Sequence, residues 1–232
     1  MVKLRGWDKK PRTMLRSIKI GDIFCFRYDK YTFCFGQIIG YYHCYISKIF
    51  AYTSDTPVIN EDIILNTGRL KDLMPIDAYS LFDKRLAGEW RIIGHQDDYA
   101  PTDEKDYYFT WGIGSDLKKS NLSGNTFPIS EDEAESLPNL SPHGDEGVKF
   151  DIVNDIYEKY LSQGELKRFI DFVEKYDDHA WYHKYLWTKA YAYAIHHDSD
   201  DAERVVKEYY SSDKYAHQAE KIIEMLREIS TG

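Results

Sequence analysis

Cysteine is scarce in this chain of 232 residues. Cys25, Cys34 and Cys44 are too few, and odd in number, for a disulfide framework, so the fold has to rest on a buried core. Long hydrophobic runs are missing too. None approaches the roughly 20 residues of a membrane span, and the basic N-terminus (Lys3, Arg5, Lys9, Lys10, Arg12, Arg16, Lys19) lacks the apolar stretch of a secretory leader. The expectation is a soluble, unprocessed, cytoplasmic protein with no membrane association.

Catalytic signatures are equally thin. No serine lies in a G-x-S-x-G elbow, and the cysteines sit in strand-like surroundings that favour burial over thiolate activation. His179 and His183 have the spacing of two ligands on a helix, but no Glu follows the first and no third ligand is evident. His196 and His197 close a helical pattern, where an imidazolium complements the dipole. The stretch 112–120 (GIGSDLKKS) lacks the glycine directly before the lysine that a phosphate loop needs, and its glycine spacing is too short for a dinucleotide fingerprint. The reading is of a protein that is not an enzyme and takes neither metal nor cofactor.

What the chain does have is aromatic residues and an uneven charge. It carries 20 Tyr, 11 Phe and 5 Trp, which can fill a β core or form contact surfaces. The net charge of -9 divides sharply: residues 1–120 hold 18 basic and 16 acidic groups, residues 121–232 hold 12 and 23. An acidic back half repels nucleic acid and steers basic proteins inward, although solubility alone also accounts for it.

Residues 18–40 read as a β-hairpin. Phe24, Phe26 and Tyr28 alternate with Ile23, Cys25 and Arg27; Phe33, Phe35 and Ile39 share a face on the mate; Gly36 and Gly40 mark a bulge or a close backbone approach. Further strands are expected over 41–52, 88–94 and 107–113, with weaker candidates at 58–65 and 77–82. Such a series implies an antiparallel barrel or small sandwich. From 116 to 149 the apolar pattern gives way to Ser, Asn, Pro, Gly and acidic residues, as in a linker. Beyond it, apolar stripes at three-four spacing predict about five antiparallel helices, near 151–162, 165–176, 179–196, 199–210 and 214–229, with Ser199 placed to cap the fourth. Leu166, Phe169, Ile170 and Val173 recur 36 positions later as Ala202, Val205, Val206 and Tyr209, and 189–210 looks like a tetratricopeptide-type hairpin with Ala190, Ala194 and Ala202 at the close approach. The expected organisation is therefore α+β: a basic arm (1–17), an antiparallel β domain (18–115), an acidic linker (116–149) and a helical-hairpin repeat-like domain (150–230).

Lys19-Ile20-Gly21-Asp22-Ile23-Phe24, the strand Phe35-Gly36-Gln37-Ile38 and the block Gly88-Glu89-Trp90-Arg91-Ile92-Ile93-Gly94 together make the first domain resemble the immunity protein 26 group of bacterial polymorphic-toxin and contact-dependent inhibition systems. The resemblance implies a non-catalytic cytosolic protein that binds one cognate toxin domain, such as a nuclease, and blocks its active site or its access to substrate. The helical domain lies outside that pattern. Acidic residues that could meet a basic toxin are Asp97, Asp98, Asp103, Glu104 and Asp106 before the last expected strand, and Glu131, Asp132, Glu133 and Glu135 in the linker. A second class stays open: a nucleic-acid-binding barrel using Phe24, Phe26, Phe33, Phe35, Tyr41 and Tyr42 as a stacking platform, with Arg27, Lys30 and Lys48 on phosphates and the helices as a protein-interaction domain. Overall acidity argues against nucleic acid.

Overall fold

The computed structural model describes residues 1–7, 18–70, 73–82, 89–101, 103–157, 163–196, 198–211 and 216–231, so most of the expected basic arm lies outside the described residues. The chain separates into two compact units, Met1–Ile152 and Val153–Gly232. The class is α+β: antiparallel sheets come first and helices follow.

Strands β1 (Val2–Leu4), β2 (Asp22–Arg27), β3 (Phe33–Tyr42) and β4 (Cys44–Ser54) precede the short helix α1 (Glu61–Asn66), β5 (Met74–Ile76), the helix α2 (Ala78–Phe82) and β6 (Trp90–Gln96). Six of these strands form one antiparallel sheet in the order β1-β6-β2-β3-β4-β5. Both faces at its centre are buried, which is why Ile23–Phe26 of β2 are all apolar. Ile23 and Cys25 join Phe33, Phe35, Phe50, Ile59, Ile64 and Ile93 on one side. On the other, Phe26 stacks on Trp90 with centroids 3.9 Å apart, and Phe24 and Phe82 pack against the same indole. Each fully buried Phe contributes on the order of 1.5–3 kcal/mol.

The register of β3 on β4 shifts at Gly36 and again at Gly40. A Cβ on Gly36 would run into the Phe24 ring and the Lys48 carbonyl, so both the bulge and the close approach are present. Phe33, Phe35 and Ile39 share a face only up to this irregularity. Ile39 enters a second core with Ile46, Leu73, Phe109 and Leu140.

Two weak strand expectations become helices. Asn60 accepts a hydrogen bond from the Ile63 amide at 2.9 Å, and Glu61 and Asp62 follow in the first turn of α1. The Asp77 carboxylate accepts from the Tyr79 and Ser80 amides ahead of α2, while the strand of that region, β5, lies just before it. In both cases the capping side chain outweighs the β-branched and aromatic composition.

The stretch expected as a linker is folded. A three-stranded sheet, order β7-β8-β9, is built from β7 (Tyr108–Trp111), β8 (Lys118–Asn121) and β9 (Thr126–Pro128), and the helix α3 (Glu131–Glu135) follows with Ser130 as its cap. Strand periodicity is hidden here because the buried positions are polar: Ser120 and Asn121 are almost completely enclosed. Farther on, Thr110 donates to the Pro138 carbonyl and accepts from the Leu140 amide, His143 donates to the Pro75 carbonyl, and Asp77 donates to the His143 carbonyl. A single strap of chain thus pairs in parallel with β7 and then with β5.

Helix α4 (Asp145–Tyr157) runs across the unit boundary, and α5 (Gln163–Val173), α6 (Lys184–Ile195), α7 (Ser199–Tyr209) and α8 (Ala216–Thr231) make up the second unit. Helix α6 packs against α5, α7 and α8. Ala190, Ala194 and Ala202 are fully buried, as a close α6–α7 hairpin requires. Leu166, Phe169, Ile170 and Val173 are buried on α5, as are Ala202, Val205 and Val206 on α7. Trp187 packs against both Tyr209 and Tyr210. Two details differ from expectation. Asp198, not Ser199, caps α7, because its carboxylate accepts from the Asp201 amide. Residues Ala180–His183 form a 3-10 turn ahead of α6, so His179 and His183 do not share an α-helical face. Among the described residues, no helix is long and apolar enough to cross a membrane.

Candidate partner-binding site

The acidic residues read from the sequence fall into two groups with different surroundings. The first group follows β6, which ends beside a buried carboxylate: Asp22 accepts from the Lys19 amide at 2.8 Å and lies 3.0 Å from His95 Nδ1. Beyond that staple, Asp97 pairs with Lys3 and Asp98 with the Met1 ammonium, both at 2.5 Å. These bridges hold β1 along β6. The Lys3 hydrogen bond keeps the Asp97 carboxyl below its ordinary range, and the Met1 ammonium does the same for Asp98.

Deeper in this loop, in a 3-10 turn spanning Asp103–Asp106, Glu104 faces Lys48 at 3.8 Å, both side chains largely enclosed. Lys48 also lies over the rings of Phe50 and Tyr99. Burial pushes the Lys48 ammonium down from its ordinary value, and the attraction of Glu104 only partly offsets this. Burial, reinforced by Glu104, raises the Tyr99 phenol. Asp103 contributes its backbone to the turn, and Asp106 is exposed.

The second group is α3. Glu131, Asp132, Glu133 and Glu135 are all exposed. Ser130 caps the helix, whose first turn carries three of these acids against the positive end of the dipole. Glu133 pairs with Lys119 of β8 at 2.5 Å and fastens the helix to the three-stranded sheet, whereas Asp106, Glu131, Asp132 and Glu135 have no ion pair among the described residues. On that sheet Lys119 also covers Tyr108, and Phe127, 46 % exposed, lies against the same tyrosine.

Burial raises the Cys25 thiol far above its ordinary 9.0, and Cys44 is pushed up to about 11, so neither is a thiolate at neutral pH. Among the described residues no group of three or more His, Cys, Asp or Glu is placed to hold a metal ion.

Sequence reasoning missed the hydroxyl cluster behind the small sheet. Ser120 Oγ receives Trp111 Nε1 at 2.8 Å and the Tyr42 hydroxyl at 3.1 Å, with Thr126 Oγ1 at 2.8 Å. Its only signal was a set of isolated polar residues in a stretch that looked unstructured.

Residues 19–121 match the family model of Immunity protein 26. Every motif that carried the resemblance lies inside that range, from Lys19 through the 88–94 block. The matched region takes in β2 to β8 and stops before β9, α3 and the helical unit. No curated protein and no solved structure matches the chain.

Proposed function

We propose that this chain neutralises a cognate bacterial toxin domain by binding it, blocking its active site or its access to substrate, and that it does so without catalysis in the cytoplasm. The Immunity protein 26 match over 19–121 carries this reading. The exposed acids Asp106, Glu131, Asp132 and Glu135 support a basic toxin, a nuclease among the candidates, because a negative surface both steers and mimics nucleic acid. Asp97, Asp98, Glu104 and Glu133 are engaged within the protein and make a weaker case as contacts. The polymorphic-toxin and contact-dependent inhibition setting belongs to the same proposal.

The test is growth rescue. If a gene adjacent to this one encodes a toxic C-terminal domain, cells expressing that domain should recover when the full chain is co-expressed, and the two should co-purify. Absence of both rescue and complex would sink the proposal. Affinity that is the same at low and high salt would remove the electrostatic part alone. The nucleic-acid reading keeps only part of its platform: Phe24, Phe26, Phe33 and Phe35 are between 0 and 6 % exposed and cannot stack on bases, while Tyr41 is exposed and Tyr42 half-buried.

A further inference from the structure

We propose that the β3–β4 turn and the β7–β8 turn form one rigid anchor that enters a concave surface of the toxin domain; this rests on the immunity reading. The β3–β4 turn is unusually tight, since Tyr42 and Cys44 are paired with His43 alone between them. His43 is exposed and has φ +57°, the left-handed region that glycine enters freely and other residues rarely. A side chain displayed at a position where glycine would fit with less strain points to a role beyond the fold.

The second turn stands beside it. The His43 ring is 5.8 Å from that of Trp111, and Trp111 is paired with Lys118 at the mouth of the β7–β8 turn, Lys118 lying over its indole. Within that turn Ile113 is 87 % exposed, the largest exposure of any large apolar side chain among the described residues. Tyr41, 58 % exposed, packs edge-on against Tyr45 next to the first turn. Tyr and Trp dominate binding hot spots, and an apolar tip of this kind is excluded from water only when a partner covers it.

The support beneath is already set. Ser120, fully buried, takes the Trp111 indole N–H and the Tyr42 hydroxyl, and Thr126 closes the cluster. Gly112, at φ +89°, lies so close to the Asp116 carbonyl that any Cβ would collide with it, and Asp116 and Leu117 donate to Ile113 and Gly114. Side chains fixed before binding lose little entropy on docking.

Two observations favour a protein over nucleic acid. Glu133 of α3 is bonded to Lys119 on the same small sheet, which brings the exposed Glu131, Asp132 and Glu135 close by, a field that repels phosphates. Both turns also lie inside 19–121, the part shared with the family, whereas α3 lies outside it. The division of labour is then steering by the acidic helix and anchoring by the turns.

The experiment is a titration of the full chain against a catalytically silenced toxin domain that the chain has been found to protect against in the growth-rescue test, or, failing rescue, against the toxin domain of any adjacent gene, comparing wild type, His43→Gly, Ile113→Ser and Tyr41→Ala. His43→Gly relieves the left-handed backbone, so its unfolding midpoint should equal or exceed wild type, while each variant weakens binding by about tenfold or more. Wild-type binding with all three variants within about twofold would overturn the anchor and leave immunity standing. If neither wild type nor variants bind, the immunity reading falls and takes the anchor with it. A single-stranded oligonucleotide that binds wild type and is released by the same substitutions would also overturn the proposal.

Discussion

The loop at 97–106 and the helix α3 are alike in sequence, short runs crowded with Asp and Glu, yet the fold uses them in opposite ways. In the loop, Asp97, Asp98 and Glu104 meet Lys3, the Met1 ammonium and Lys48, cations brought from β1 and β4 by the sheet's register. In α3, Glu133 alone finds a cation, and the other acids face outward. The difference teaches that an acidic run acquires its role from the strands laid beside it.

The comparison breaks most visibly at Glu104. Replacing it with Ala strands the enclosed Lys48 ammonium and should lower stability by about 2–3 kcal/mol in urea unfolding; a loss close to zero would mean that the pair is no internal tie. Alkali probes the same interior. The thiols of Cys25 and Cys44 ordinarily ionise near 9.0, Cys44 shifts to about 11 in the fold, and the Tyr99 phenol rises from 10.0. Each stays protonated in the fold after it would ionise in the unfolded chain, so its contribution is complete below pH 9 and declines above it. Thermal scans between pH 8 and 11 should show the midpoint falling, and a Cys44→Ala variant should fall less steeply.

The contrast sharpens at α3. Glu131→Gln, Asp132→Asn and Glu135→Gln together should leave stability within about 0.5 kcal/mol of wild type, while slowing association with a basic toxin and flattening its salt dependence. Unchanged association would confine these acids to solubility. The smallest effect belongs to β1. Asp97 and Asp98 are held below their ordinary 3.8, so their bridges persist at neutral pH and are lost as the pH falls through and below that value. Hydrogen-exchange protection at Val2–Leu4, taken relative to the intrinsic rate at each pH, should fall there before that of the sheet interior.

Much of this was legible in advance. The β2–β3 hairpin, the glycine irregularities, β6, β7 and the helices of the second unit follow from period-two and three-four patterns, because apolar burial dictates those residues directly. Where polar side chains direct the chain, the patterns misled. Asn60 and Asp77 cap helices inside stretches composed like strands, and Ser120 and Asn121 occupy interior positions that hydrophobic residues usually mark. The nine candidate acids were visible as a set, but their partners were not, since Lys3 and Lys48 reach the loop only through long-range pairing.

The strap that binds Thr110 and then Pro75 decides where this protein can be cut. It lies beyond residue 121, so a fragment ending with the family match would keep β7 and β5 but leave their outer backbone groups bare, and β8 would lose β9. Unpaired edges of that kind recruit other chains and precipitate. The shortest expressible form of the β-rich region therefore has to extend through His143, some twenty residues past the point at which family likeness ends.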